Sequence, residues 1–240
     1  MKSYVDHLAA WFRQHADPGK AKPMENYMRN QYPFLGLKTP ERTSLTKQFW
    51  AEYGIPAGEE LLAVVLQLWQ LPEREFQNVA MAFLEKYGKQ SKRDDIDVFE
   101  TLVTTKSWWD TVDYLASHTM GDHLMRYPEL IPEYTERWMK SDDFWLRRTA
   151  ILYQLRYRER TDAEKLFEYI RQCKDDNEFF IRKAIGWALR EYSKTDEASV
   201  RRFVAETSLS PLSTREALKF VSRRNDTTYS QQSESTVGMI

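Results

Sequence analysis

A helical motif that recurs about every 35 residues constrains the fold of this 240-residue chain more than any other feature. Three of its four copies place an aromatic residue ahead of a polar or basic pair, a small residue and aliphatic residues, and the fourth shares the aromatic residue in the same register. The copies are EREFQNVAMAF (73–83), KSWWDTVD (106–113), DDFWLRRTAIL (142–152) and NEFFIRKAIGW (177–187), and their aligned aromatic residues are Phe76, Trp109, Trp145 and Phe180. A period of this length with two helices per unit is typical of α-solenoids, in which helix pairs bury their apolar faces by stacking on neighbours. The sequence therefore predicts an all-α solenoid of stacked antiparallel helix pairs with one concave surface.

The apolar residues between the motifs follow the same helical period. They recur at spacings of three and four in 61–69, 76–84, 96–103, 144–155, 179–189 and 200–204. Asp17-Pro18 and Thr39-Pro40 each place an N-cap residue before a proline that suits the first helical position. We expect about a dozen helices in a single domain over 1–224, and a disordered tail over 225–240, which is rich in Ser, Thr and Gln.

Composition excludes several classes of protein. Glycine is scarce, at eight residues, which disfavours folds built on Gly-rich phosphate loops, and no apolar run approaches the roughly 20 residues that cross a bilayer. The single cysteine, Cys173, cannot form an internal disulfide, and the start of the chain has no signal-peptide pattern, so we expect a reducing, cytoplasmic compartment. The four histidines are scattered and no Cys/His spacing suits a metal, so we expect neither metal nor cofactor.

Charge is distributed unevenly along the chain. Residues 1–136 carry 15 Lys/Arg against 20 Asp/Glu, whereas residues 137–224 carry 20 against 14. A basic surface that neutralises phosphates could therefore form in the second half, although a salt-bridged helical surface would give the same composition.

One copy of the motif departs from the others in a way that suggests a functional site. Four residues after the aligned aromatic, three copies have a small residue (Ala80, Thr149 and Ala184), whereas the fourth has Asp113. A carboxylate at a crowded position costs free energy unless it has a partner, and Trp109 and Asp113, spaced i, i+4, share one helical face. Trp187 is also unusual, since its position holds Phe83, Ala116 and Leu152 in the other copies. A packed tryptophan or a solvated aspartate would fit the pattern as well, so it leaves both interpretations open.

Six segments of the chain carry a resemblance to a known family. They are KAKPMENY (20–27), FLGLKTPER (34–42), WQLPEREF (69–76), KSWWDTVD (106–113), WLRRTAILYQL (145–155) and EFFIRKAIGWALREY (178–192). In order and spacing, over roughly residues 1–224, they resemble the AlkD-type DNA glycosylases. The two Trp-rich stretches are long enough to make a chance match improbable.

The resemblance implies both a fold and an activity. The family has a HEAT-like α-solenoid whose concave face cradles duplex DNA, and its members release N3- and N7-alkylated purines, leaving an abasic site. Its active-centre residues match Trp109, Asp113 and Trp187. Its DNA-contacting residues match Arg148, Arg190, Tyr27, Lys38 and Thr39, of which the Lys38 position is the least distinctive. A groove that wraps one duplex requires no second subunit, so we expect a monomer.

These residue types suit the expected chemistry. A purine alkylated at N3 or N7 is already cationic, so its departure needs no general acid. One carboxylate, Asp113, can stabilise an oxocarbenium-like sugar and orient the attacking water, while Trp109 and Trp187 offer indole faces that attract cations. Hydrolysis by water needs no lysine nucleophile, so we expect a monofunctional glycosylase. Whether the base is flipped out of the duplex stays open.

Two alternatives remain at this point. A helical scaffold that binds DNA or protein without catalysis would explain the repeats and the basic half, but it leaves Asp113 without a purpose. A related repeat glycosylase with another lesion preference, including bulky N3 adducts, would use the same residues.

Overall fold

The computed structural model describes residues 3–220, within which every regular element is helical and there is no strand. The all-α prediction is therefore confirmed for this range. The predicted tail over 225–240 lies outside the described residues. The α-helices are α1 (Tyr4–Gln14), α2 (Pro18–Tyr27), α3 (Thr39–Tyr53), α4 (Gly58–Gln70), α5 (Arg74–Tyr87), α6 (Ile96–Thr104), α7 (Trp109–Tyr114), α8 (Gly121–Arg126), α9 (Leu130–Met139), α10 (Phe144–Leu152), α11 (Ala163–Cys173), α12 (Phe179–Tyr192) and α13 (Glu197–Glu206), followed by helical residues 211–220.

Shorter helical turns lie between some of these helices. Gly88–Gln90, Arg93–Asp95 and Arg158–Arg160 are 3₁₀ turns, and Leu115–Met120 is π-helical. Within the described residues the chain divides into two compact units, one up to residue 115 and one from residue 116, and each is treated by itself. The prediction of a single domain, like that of a concave groove, stays a prediction.

Local sequence explains most of the helix starts. The Asp17 side chain accepts hydrogen bonds from the amides of Gly19 and Lys20, and Pro18 occupies the first helical position, so the predicted cap of α2 is confirmed. The predicted cap at Thr39 is wrong by one residue. Thr39 is already helical and Lys38 precedes α3, with its amide donating to the carboxylate of Glu41 at 3.0 Å.

The core of the first unit is built around α4 and α5. A three-residue connection joins them and makes them antiparallel neighbours, and α1 and α3 also pack against this pair. Large aromatic side chains fill the space between these helices and are fully buried: Phe12, Phe49, Trp69, Phe76 and Phe83. Gln77 on α5 closes the end of α4, since its amide nitrogen donates to the carbonyl of Leu71 at 2.8 Å.

In the second unit α10 is the central helix, and it packs against α9, α11 and α12. The buried side chains include Trp138, Ile151, Tyr153, Tyr169 and Ile185. The periodicity over 144–155 predicted a longer α10 than is found, because regular helix ends at Leu152 and residues 153–156 form a turn.

The repeat that was read from the sequence corresponds to a structural position. Each aligned aromatic lies in the first turn of a helix, namely α5, α7, α10 and α12. The small residues four positions later, Ala80, Thr149 and Ala184, are completely buried, whereas Asp113 is partly exposed. The position that other copies use for close packing therefore faces a more open environment in the α7 copy.

Candidate functional site

Helix α7 carries two of the predicted site residues on a short, well-anchored segment. Thr111 and Val112 are fully buried and fix one side of the helix, while Trp109 and Asp113 are both partly exposed on another. Trp108, in extended conformation, precedes the helix and turns the chain into it. The structure therefore brings Trp109 and Asp113 together on one face, as their spacing predicted.

The start of α7 is held by an ion pair between a fully buried arginine and a partly exposed aspartate, which the sequence pattern does not reveal. The guanidinium of Arg74, at the start of α5, donates from Nε to Asp110 Oδ2 at 3.0 Å and from Nη2 to Asp110 Oδ1 at 2.6 Å. Arg74 also donates to the Lys106 carbonyl and to the Thr111 hydroxyl, each at 2.8 Å. The guanidinium lies 4.3 Å from the centre of the Tyr32 ring. The two partners are 36 residues apart, close to one repeat length, and that spacing was the only signal in the sequence that could have linked them.

Next to this ion pair is a cleft of about 360 Å³. Its wall is mostly apolar, with Pro23, Met24, Met28 and Phe34, and charged groups lie at its edge, among them Lys38 and Asp110. Tyr27 also lines the cleft, is 74 % exposed, and meets Trp109 edge to face, with ring centroids 6.1 Å apart. The structure thus places Tyr27 and Lys38 at one cleft, and Tyr27 also touches Trp109.

The other expected DNA contact of the first unit, Thr39, is exposed next to Lys38 at the start of α3. The loop before it is held by the buried carboxylate of Glu75, which accepts hydrogen bonds from the amides of Leu35, Gly36 and Leu37 at 2.9, 3.0 and 3.1 Å. Lys38 and Thr39 therefore extend from a rigid loop.

Basic groups in the interior of this region have lowered pKa values. Burial lowers the pKa of Lys106, and the neighbouring charge of Arg74 adds to the effect, while Glu73 opposes it. The ammonium of Lys106 donates to the Gln70 carbonyl at 2.9 Å and thereby caps α4. Burial likewise lowers the pKa of Arg42, against the opposing charges of Glu75 and Asp110. Lys106 and Arg42 therefore contribute positive charge to the packing of this unit, in addition to the positive charge on its surface.

In the second unit, Trp187 lies on α12 and is partly exposed, between the buried residues Gly186 and Ala188. Gly186 allows a close helix contact, because a Cβ at this position would come within 2.5 Å of the Glu216 Cβ and 3.0 Å of the Ser213 carbonyl oxygen. The backbone around Trp187 is consequently fixed by the helical residues 211–220.

The two arginines predicted to contact DNA in this unit make internal contacts. Arg148 is only 3 % exposed, and its Nη1 donates to the Phe180 carbonyl, which joins α10 to α12. Arg190 is partly exposed, and its Nη1 lies 2.8 Å from Glu216 Oε2. Burial raises the pKa of Glu216, but the ion pairs with Lys183 and Arg190 act more strongly, so the net pKa is lowered.

The basic residues that recur between copies are also engaged within the unit. Arg147 pairs with Asp176 at 3.2 Å, Arg182 donates to the Asp176 carbonyl at 2.8 Å, and Lys183 pairs with Glu216 at 3.2 Å. The salt-bridged surface that composition left open is therefore present, and these residues stabilise the contacts between helices.

A second cavity of about 350 Å³ lies in the same unit, among residues of α10, α11 and α12 and the turns between them. Its walls mix basic and acidic groups, including Arg158, Glu159, Glu191 and Lys194. Lys194 and Glu191 pair with each other at 2.6 Å. None of the predicted site residues lines this cavity.

Two absences hold for the part of the chain that the structure describes. Within residues 3–220, no cluster of three or more His, Cys, Asp or Glu side chains is arranged to hold a metal ion. Over the same range no helix combines the length and apolarity needed to span a membrane.

Comparisons with known proteins give a family match and similar solved structures. Residues 8–221 match the family model described as "DNA alkylation repair enzyme". A solved structure described as a predicted DNA alkylation repair enzyme from Enterococcus faecalis is 34% identical, with a TM-score of 0.79 over 85% of this chain and 96% of that one.

Two further solved structures are similar in fold. The protein smu.31 from Streptococcus mutans UA159 is 17% identical, with a TM-score of 0.60 over 91% of this chain and 99% of that one. AlkD2 from Streptococcus mutans is 18% identical, with a TM-score of 0.55 over 74% and 86%. At these identities the likeness concerns the fold alone. A search of the curated proteins gives no match.

Proposed function

Since the chain belongs to the DNA alkylation repair enzyme family, we propose that it is a monofunctional glycosylase that removes cationic N3- and N7-alkylated purines from duplex DNA. Its products are the free base and an abasic site, so it would act in base excision repair. The observation that carries this proposal is the pairing of a partly exposed indole, Trp109, with a partly exposed carboxylate, Asp113, one turn apart on the anchored helix α7.

In the proposed reaction the bond between C1′ and the purine nitrogen breaks, and its electron pair neutralises the positive charge of the base. The sugar becomes oxocarbenium-like, and the carboxylate of Asp113 stabilises it and orients water for attack on C1′. The proton of that water passes to the carboxylate and then to solvent. No general acid is needed, because the leaving group departs as a neutral purine.

The tryptophans would select for positive charge. An indole face attracts a cation by about 0.5–2 kcal/mol, depending on how far the pair is desolvated. We assign this role to Trp109, which Tyr27 supports through its edge-to-face contact, and to Trp187 on α12. A neutral purine gains little from such a surface, which would separate the lesion from normal bases.

Binding of the duplex is assigned to Tyr27, Lys38, Thr39 and Arg190, whereas Arg148, which is 3 % exposed, would contribute indirectly by holding α10 against α12. Lys38 and Thr39, at the start of α3, are both exposed, as is Tyr27. A lysine that contacts one phosphate displaces about one counterion, so Lys38→Ala would reduce the slope of log K against log salt by about 0.9. Lys47, also an exposed lysine, lies on α3; Lys47→Ala is the matched control and would leave the slope unchanged. One chain would suffice to contact one duplex, so we expect a monomer. We expect it to act in the cytoplasm.

The decisive experiment is incubation with duplex DNA methylated at N7 of guanine and N3 of adenine, followed by chromatography of the released bases. Wild-type protein should release both, and Asp113→Asn should lower the single-turnover rate by about 100-fold or more while abasic DNA is still bound. Asp97→Asn makes the same change on the exposed side of α6 and should retain the wild-type rate.

A wild-type rate in Asp113→Asn would refute the proposed chemistry. Binding without any released base from wild-type protein would instead favour a helical DNA-binding scaffold. The ratio of the two products would report the lesion preference.

A further inference from the structure

Helix α5 begins with two adjacent residues of opposite charge, Arg74 and Glu75, and both are 0 % exposed. Burying a charged side chain costs free energy unless the charge is paired and hydrogen-bonded. Two neighbouring buried charges therefore indicate that each has partners that offset this cost. Their partners lie in two different surface segments of the first unit.

Glu75 holds the segment that leads into α3. Its two carboxylate oxygens accept three backbone amide hydrogens, from Leu35, Gly36 and Leu37. Charge-assisted bonds of this kind are stronger than neutral ones, and three converging amides fix the path of the loop. The next two residues are Lys38 and Thr39, so their backbone positions are set by Glu75.

Arg74 holds the segment that leads into α7. Its guanidinium makes four hydrogen bonds to groups between residues 106 and 111, two of them to the carboxylate of Asp110. The Arg74 amide also donates to the Pro33 carbonyl at 2.9 Å, which links α5 to the first segment as well. Trp109 lies inside the segment that the guanidinium holds, and Asp113 lies one turn beyond Asp110.

We propose that Arg74 and Glu75 are positioning residues for the proposed glycosylase. Together they fix the Lys38-Thr39 segment, expected to hold the DNA backbone, relative to the Trp109-Asp113 face, expected to act on the sugar. A displacement of about 1 Å between a binding group and a catalytic group can cost on the order of 100-fold in rate. This inference rests on the proposed function, and it adds that the geometry of the site depends on two buried residues that touch no DNA.

Arginine is required at position 74 for a geometric reason. Its planar fork presents donors in fixed directions to a carboxylate, a carbonyl and a hydroxyl at once. A lysine keeps the positive charge but cannot make the paired bonds to Asp110. Arg74→Lys therefore changes geometry while it conserves charge.

The test uses the full-length protein and 7-methylguanine duplex, with enzyme in saturating excess. The first-order rate under these conditions does not depend on what fraction of the enzyme is folded, so loss of stability alone leaves it unchanged. Arg74→Lys and Glu75→Gln should each lower this rate about tenfold to 100-fold. For Arg74→Lys, the affinity for undamaged duplex should stay within about twofold. Arg13→Lys is the matched control, because Arg13 makes a similar two-bond pair with Glu73 that holds neither segment.

A second measurement does not depend on activity. Hydrogen exchange should accelerate over residues 35–37 in Glu75→Gln and over residues 107–112 in Arg74→Lys, and in neither segment in Arg13→Lys. A wild-type single-turnover rate in Arg74→Lys, or unchanged exchange in both segments, would overturn the inference, and Arg74→Lys decides alone if Glu75→Gln does not fold. If wild-type protein releases no base, the proposed function fails by itself, whereas the exchange experiment still tests whether the two residues hold the segments.

Discussion

Replacing Gly36 with alanine should disrupt the loop before α3 far more than an ordinary Gly→Ala substitution would. Gly36 has φ of +88°, a backbone conformation that L-residues with a side chain rarely adopt. A Cβ added there would lie 2.1 Å from the Asp17 carbonyl oxygen and 2.8 Å from the Ala21 nitrogen. Both neighbours are backbone atoms, so they cannot move aside as a flexible side chain would.

The magnitude follows from two contributions. The positive φ costs alanine about 1–2 kcal/mol. Relieving the contact requires the loop to shift by roughly 1 Å, which breaks at least one hydrogen bond from a backbone amide to the Glu75 carboxylate. A hydrogen bond to a charged group contributes about 1.5–3 kcal/mol. We expect Gly36→Ala to lower the free energy of unfolding by about 2.5–5 kcal/mol, and Tm by about 5–20 °C for a chain of this size.

Gly58→Ala provides the matched control. Gly58 also has positive φ, at +56°, but nothing lies within 4 Å of an added Cβ, so only the conformational cost remains. Urea denaturation and thermal unfolding of both variants measure the difference between them directly. Equal losses of stability in Gly36→Ala and Gly58→Ala would refute the argument, because the steric contact with Asp17 would then carry no cost.

Three further predictions follow from particular contacts. Burial raises the pKa of Cys173 to about 11, so at pH 8 only about one thiol in a thousand is ionised. The reagent 5,5′-dithiobis(2-nitrobenzoic acid) should therefore react slowly until guanidinium unfolds the protein. A rapid reaction with the native protein would contradict the packing of α11. Arg148→Ala should lower stability by about 2–4 kcal/mol, since it removes a buried side chain that joins α10 to α12; an unchanged Tm would count against the contact with Phe180. Gly186→Ala should lower Tm by several degrees because its Cβ would meet Glu216, and a neutral effect would show that residues 211–220 move aside.

Much of the helical architecture was predictable because it depends on local patterns. The spacing of apolar residues located α4, α5, α6 and α12 closely, since a buried helical face must repeat every three or four residues. Helix ends were less predictable. The end of α10 at Leu152 is one example, because the apolar residues that follow it are buried by a turn and not by further helix.

The candidate site was predictable to the extent that it broke the repeat. Asp113 differs in type from residues at the same position, and the structure places it on a more exposed face than Ala80 or Thr149. The partnership of Arg74 and Asp110 was not predictable in the same way. A charged residue in the first turn of a helix ordinarily reads as solvated, and only the three-dimensional packing shows that this arginine is buried. The ion pairs of Arg147 with Asp176 and of Lys183 with Glu216 could not be predicted for the same reason, since a basic residue looks alike in sequence whether it contacts a phosphate or a carboxylate.

Three carboxylates of α5 and α7, those of Glu75, Asp110 and Asp113, differ in what surrounds them, and that difference bears on the proposed chemistry. Glu75 is saturated by backbone amides, and the charge of Asp110 is compensated by the fully buried Arg74. Glu75 and Asp110 are therefore both engaged in holding backbone segments, so the proposed stabilisation of a developing positive charge on the sugar is assigned to Asp113, which is partly exposed on α7.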